Sequence, residues 1–168
     1  MPAPSTTIVV ADASVLINLI HIRRLELLAT FEGLAFVIPE EVVQEISDQV
    51  QAAALAQALE QGYVRAEACA APAELALFAD LRPVLGKGES ACLAIAEHRG
   101  WMVACDERGA FLREARRRIG EGRLLNTPGL MLLAIRRSKM TVAEADEAKK
   151  VLEGRRFTMK FGSFQELL

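Results

Sequence analysis

The chain has 168 residues, of which 52% are hydrophobic, 25% charged and only 5% aromatic, with a net charge of −2. That balance suits one domain, 1–168, around an aliphatic core, and it excludes a disordered chain. It also provides no global attraction to nucleic acid, so any such binding needs a local basic patch.

In chain order, "IVVA" (8–11) is a short β-branched run that reads as a buried strand. "SVLINLIHIRRLELLATF" (14–31) changes to helical spacing, with a break near His21, and "LAFVIP" (34–39) is a second strand ended by Pro39. The stretch 40–62 reads as one helix, with Val42, Val43, Ile46 and Val50 on its buried stripe and Gly62 as its stop. "YVRAEAC" (63–69) fits an edge strand, and "PAELALFADL" (72–81) a helix. "GKGESACLAIAEHRG" (86–100) opens on glycines, runs helical and closes at Gly100. "WMVAC" (101–105) is a strand, 108–120 a helix and "RLLN" (123–126) a short strand. The next helix has Thr127 as N-cap and Pro128 at its first position, and capping boxes follow at Thr141–Glu144 and Ser163–Glu166. Alternating apolar strands and helices predict an α/β fold with a mainly parallel sheet covered on both faces.

Two aspartates stand where such sheets bind ligands. Asp12 follows "IVVA" directly and Asp106 follows "WMVAC", so both sit at the carboxyl ends of strands. Glu89 lies in the first turn of the helix opened by "GKGES". Glu45, next to Ile46 on the buried stripe, borders the same end of the sheet, although Glu40, Glu41 and Asp48 compete with it. Each acid has an ordinary alternative: Asp12 and Asp106 as caps of the helices after them, Glu89 as a dipole-favoured first-turn residue, Glu45 as a solvated helix residue.

Together they carry an electrostatic cost. Two carboxylates about 5 Å apart repel by roughly 3 kcal/mol at an effective dielectric near 20, and three such pairs by on the order of 10 kcal/mol. A marginally stable fold needs protons or a divalent cation to neutralise such a cluster. With oxygen donors and no nearby His or Cys motif, the cation is hard: Mg²⁺ or Mn²⁺.

At these residues the sequence resembles the PIN-domain family of metal-dependent ribonucleases, and within it the branch of VapC-type toxins. The segments that carry the resemblance are "VVADASVLINL", "VIPEEVVQEI", "GKGESACLAIA" and "MVACDERGAFLREA", in family order, with "LLNTPGLMLLAIRRSKMT" resembling the later helical part of that branch. The resemblance implies a three-layer α/β/α sandwich, with 127–168 as a C-terminal helical part. It implies catalytic acids at Asp12, Glu45, Glu89 and Asp106, with Asp12, Glu89 and Asp106 as metal ligands and the Ser14 hydroxyl orienting Asp12. It further implies Mg²⁺ or Mn²⁺ as cofactor, an RNA substrate, a small antitoxin partner and a homodimer. Two departures stand out: Cys105 where many relatives carry Ser or Thr, with Glu107 following as a further candidate ligand, and Asn126 where relatives of this branch often have Gly.

Arg113, Arg116 and Arg117 fall on one face of the helix after Asp106 and form the strongest basic cluster, either a phosphate track or a solvated face. No aromatic platform for RNA is evident. The three cysteines are isolated, which fits a reducing cytoplasm better than a disulfide framework or a zinc site. "MPAPSTT" has no signal-peptide pattern, and no apolar run approaches the ~20 residues of a membrane span. A haloacid-dehalogenase-like phosphohydrolase would need an acid at position 14, which is Ser; a dinucleotide enzyme would need glycines in "ADASVL". A PIN-like module kept only for partner contacts is the other alternative. Asn at position 12 or 106 is expected to remove cleavage and leave the fold intact, since it changes charge without volume.

Overall fold

The first strand, β1 (Thr7–Ala11), is the middle of a five-stranded sheet in the computed structural model, which describes residues 2–168. Val9, Val10 and Ala11 are fully buried, as a central strand covered on both faces requires. The chain continues through α1 (Ala13–His21), β2 (Leu34–Pro39), α2 (Glu40–Glu45), α3 (Gln49–Glu60), β3 (Arg65–Glu67), α4 (Pro72–Leu81), α5 (Lys87–Arg99) and β4 (Met102–Ala104). It ends with α6 (Gly109–Arg118), β5 (Leu124–Leu125), α7 (Thr127–Arg136), α8 (Val142–Gly154) and a 3₁₀ turn at Phe164–Leu167. The strand order is β3-β2-β1-β4-β5, and every pairing is parallel. The chain therefore steps outward from β1 to β3, then returns to the other side of β1 at β4. The strand order reverses between β1 and β4, which pair with Ala11 opposite Ala104. Helices flank both faces, because the two halves cross over in opposite directions with the same hand.

α5 is the buried pillar of the fold. It packs on β1, β2 and β4 and against α2 and α4. Every residue from Ser90 to Ala96 is fully buried, so it is apolar nearly all round. Its end is fixed by Gly100 in the left-handed conformation (φ 70°). Arg99 then donates to Glu67 at 2.6 Å and to the fully buried Glu74 at 2.5 Å, tying α4 and α5 to the edge strand β3. Those guanidinium bonds hold the Glu74 carboxyl below the usual carboxylate range.

Two expectations are corrected. The segment 40–62 is two helices: the backbone leaves α2 at Ile46 (ψ 85°), and Asp48 caps α3 by accepting from Gln51 N at 3.0 Å. The buried stripe ends there, and Val50 is 76% exposed. The cap of α7 is Asn126, whose Oδ1 accepts from Gly129 N at 2.9 Å, which puts Thr127 one position inside the helix. The expected break in 14–31 falls after His21, where Arg23 is left-handed (φ 56°) before a 3₁₀ turn at Leu25–Ala29.

α8 ends in a Schellman turn. Phe157 N donates to Leu152 O at 2.9 Å and Arg156 N to Glu153 O at 3.1 Å, around Arg156 in the left-handed conformation (φ 65°). Glycine takes that position without the Cβ clash that costs an L-residue about 1–2 kcal/mol. Among the described residues, no helix is long and apolar enough to cross a membrane.

Candidate metal centre at the β1–β4 crevice

Asp12 and Asp106 leave the sheet side by side. Asp12 N donates to Ala104 O at 2.9 Å, so the end of β1 is laced to the end of β4. Asp12 is 3% exposed. Its Oδ2 accepts from Ser14 Oγ at 3.0 Å, from Ser14 N at 3.4 Å and from Cys105 Sγ at 3.4 Å. It therefore caps α1 through Oδ2, while Oδ1, which makes no hydrogen bond among the described residues, is left to the acidic crevice. The Ser14 hydroxyl, donating to Asp12, accepts from Asp106 N at 3.0 Å and so bridges the two strand ends.

Asp106 is held differently. Its Oδ1 accepts from Thr127 N at 2.8 Å, and its Oδ2 from Thr127 Oγ1 at 2.5 Å and Asn18 Nδ2 at 2.8 Å. Both oxygens are engaged, which fixes the carboxylate between α1 and the start of α7. Burial nevertheless pushes Asp106 up, against those hydrogen bonds and together with the Asp12 charge. An amide at this position would set its nitrogen against Thr127 N–H or Asn18 Nδ2. Isosteric replacement at Asp106 thus costs hydrogen bonding that replacement at Asp12 does not.

Asn18 and Thr127 are the positioning residues that sequence reasoning missed. Asn18 did leave a signal: it is a buried amide among Val15, Leu16 and Leu19 on the apolar side of α1. Such a group needs a partner. Thr127 left none, because a helix-start threonine is ordinary.

Glu89 projects from the first turn of α5. Burial, then the charges of Asp12, Glu107 and Glu45, push its carboxyl up to about 7. Glu107, the next acid, is raised by burial, then by Asp12 and Asp106. Cys105 is a buried thiol pushed well up by burial and by Asp12, so it stays neutral. Asp12, Glu89, Asp106 and Glu107 thus share one electrostatic environment, and the charge of Glu45 reaches it through Glu89.

Glu45 itself is anchored. At the C-terminal end of α2, its Oε1 accepts from Gly88 N at 2.7 Å, on the unsatisfied first turn of α5. A Cβ on residue 88 would overlap the Glu45 carboxylate, so the second glycine of "GKGES" is the notch that receives it. Gly88→Ala is expected to destabilise the fold by about 1–2 kcal/mol: overpacking and the broken hydrogen bond outweigh the helix preference for alanine. In a Glu45→Ala background that penalty should vanish. Urea melts of the four proteins check this, and a penalty that persists would mean that another neighbour fills the notch.

Arg113, Arg116 and Arg117 on α6 are exposed. Arg116 is paired with Glu121 at 2.5 Å and Arg117 with Glu114 at 2.6 Å, while Arg113 makes no ion pair among the described residues. Arg116 alone of the three lines the cavity of about 600 Å³ that opens beside Asp106 and Glu107.

The donors at the crevice are carboxylate oxygens, the chemistry of a hard cation. Among the described residues no group of three or more His, Cys, Asp or Glu side chains is drawn together to hold a metal. Mg²⁺ needs no such cage: it keeps several waters and is bound through one or two carboxylates plus substrate phosphate. The residues fit that arrangement, with Oδ1 of Asp12 and the carboxyl of Glu89 as the less engaged donors.

A parallel α/β sheet with paired aspartates at its topological switch point defines the class of this protein. A family model described as a PIN domain matches residues 8–157, and the chain belongs to the PIN-domain family. PIN domains are generally a metal-dependent nuclease fold that uses divalent ions. The fold is similar to the crystal structure of PAE2754 from Pyrobaculum aerophilum, at 16% identity and a TM-score of 0.50, covering 83% of this chain and 100% of that one. Among curated proteins no match is found.

Proposed function

We propose that this protein is an Mg²⁺- or Mn²⁺-dependent endoribonuclease that hydrolyses RNA phosphodiester bonds at the β1–β4 crevice. The observation that carries the proposal is the pairing of Asp12 and Asp106 at adjoining strand ends, in electrostatic contact with Glu89 and Glu107. Asp12 and Glu89 would hold the cation. Asp106, fixed by Thr127 and Asn18, would add negative potential at a set position. Ser14 holds Asp12 in place, and Glu45 sets the start of α5 and hence Glu89. When bound, the cation supplies Lewis-acid polarisation of a phosphoryl oxygen and a more acidic water.

A toxin of the VapC-type branch is the specific form proposed, with a small antitoxin as partner, a homodimer as assembly and the cytoplasm as location. It rests on the ordered acidic segments and on "LLNTPGLMLLAIRRSKMT". A second reading, a PIN-like module without catalysis, draws on the full engagement of both Asp106 oxygens.

Titration calorimetry with Mn²⁺, paired with cleavage of end-labelled RNA in Mn²⁺ and in chelator, separates the two. Binding together with metal-dependent cleavage supports the nuclease. A folded protein that takes up no divalent ion is not one, and binding without cleavage of any RNA favours the module.

A further inference from the structure

The cavity beside Asp106 has a wall that the family match does not include. Thr158, Met159, Lys160 and Phe161 line it, yet they lie beyond residue 157, where the match ends. The Schellman turn at the end of α8 swings this segment across to Cys105, Asp106 and Glu107, about 50 positions earlier in the chain.

The wall carries two kinds of group. Arg156 and Lys160 are exposed cations and make no ion pair or side-chain hydrogen bond among the described residues, and the same holds for Arg108 on the β4 side. The aromatic rings are Phe111, Phe157 and Phe161. Phe161 is clamped edge-on by the fully buried Phe164, with centroids 4.9 Å apart. Phe157 is half-buried and, among the described residues, stacks on no other ring. A volume of about 600 Å³ is in the range of pockets that enclose a small-molecule-sized group.

We infer that residues 156–161 form a nucleotide subsite for the RNA strand next to the scissile phosphate, in which Arg156 and Lys160 hold a backbone phosphate and Phe157 stacks a base. The inference rests on the ribonuclease proposal and adds to it a specificity-determining segment. Free cations beside an acidic crevice suit a polyanion whose reacting phosphate reaches the carboxylates through a metal. The half-buried ring of Phe157, which pairs with no other ring among the described residues, suits a base of any sequence. Arg156 occupies a left-handed position at which glycine would relieve the backbone, so Arg156→Gly removes the cation without straining the fold. The sequence showed no aromatic platform because these rings come together only when the C-terminal segment folds back onto the cavity.

The test uses the full chain and a fluorescein-labelled single-stranded oligoribonucleotide, with anisotropy read in chelator across a salt series. The wild type is expected to bind. Arg156→Gly and Lys160→Gln should each weaken binding at least threefold and reduce the slope of log affinity against log salt by about 0.7 for each phosphate no longer neutralised. Phe157→Leu should weaken it about tenfold with the slope unchanged. Arg156→Gly should melt no lower than wild type, which separates weaker binding from a damaged fold. In Mg²⁺ the same substitutions should raise KM and spare kcat. Wild-type affinity and slope in all three variants overturn the subsite and leave the nuclease standing. An oligoglutamate peptide that displaces the RNA and loses affinity in the same variants would assign the cavity to an acidic protein segment, and also overturns it. A wild type that neither binds nor cleaves RNA under either condition removes the nuclease proposal, and the subsite with it.

Discussion

Asp12→Asn is expected to reduce Mg²⁺- or Mn²⁺-dependent RNA cleavage by about a thousandfold, the rate equivalent of losing roughly 4 kcal/mol of charge stabilisation. The fold should survive. The asparagine oxygen can take the place of Oδ2 and keep the contacts from Ser14 and Cys105, while the amide nitrogen falls where Oδ1 makes no hydrogen bond. Asp106→Asn should also remove cleavage, but for a mixed reason. Its amide meets a donor on either side, Thr127 N or Asn18 Nδ2, at a cost of about 1–3 kcal/mol, partly offset by the relief of repulsion from Asp12. Asp106→Asn should therefore melt below Asp12→Asn in chelator. Cleavage assays and thermal melts on the two variants check both statements. Full activity in Asp12→Asn would remove that residue from the metal site and leave it only a helix cap.

The second large effect needs no substrate. Without metal, Glu89 titrates at about 7 against an ordinary value of 4.5, because burial and the charges of Asp12, Glu107 and Glu45 disfavour its ionisation. A raised folded value means that the folded state holds the proton more tightly. The resulting stability is fully present below the unfolded value and is lost as pH rises through the folded one. Chelated wild type should thus lose stability between about pH 4.5 and pH 7, with Glu107 and Asp106 acting in the same sense. His21 runs the other way. Burial lowers it, so its contribution is present above its unfolded value and is lost as pH falls. The difference between wild type and Glu89→Gln cancels His21. Partial exposure screens the Glu89 interaction and leaves about 1–2 kcal/mol in favour of the variant at and above pH 7, a gain of about 3–6 °C in Tm. Mn²⁺ should raise the Tm of wild type by mass action and that of Glu89→Gln much less. If the chelated wild type melts as high as Glu89→Gln above pH 7, the carboxylates do not repel one another and the site is not an acidic cluster.

The sequence by itself determined the strand-and-helix order and the places of Asp12 and Asp106. Buried parallel strands are continuous apolar runs, and "IVVA" and "WMVAC" each end on an acid without ambiguity. It showed glycines at the start of "GKGES", and only the structure makes the second of them the notch that receives Glu45. Helix breaks were less legible. The apolar spacing from Val42 to Val50 continues across Ile46–Asp48, and only the local competition of Asp48 for a backbone N–H shows that the helix stops. What the tertiary structure alone decided is how distant segments meet. Thr127 and Asn18 clamp Asp106 from 21 and 88 positions away. Glu45 reaches across 43 positions to Gly88. Arg116 and Arg117 turn out to be paired with glutamates, while unpaired cations and rings arrive from the C-terminal segment. Periodicity reports which face of an element is buried. Which two faces meet depends on crossover direction and loop path, and no local spacing encodes either.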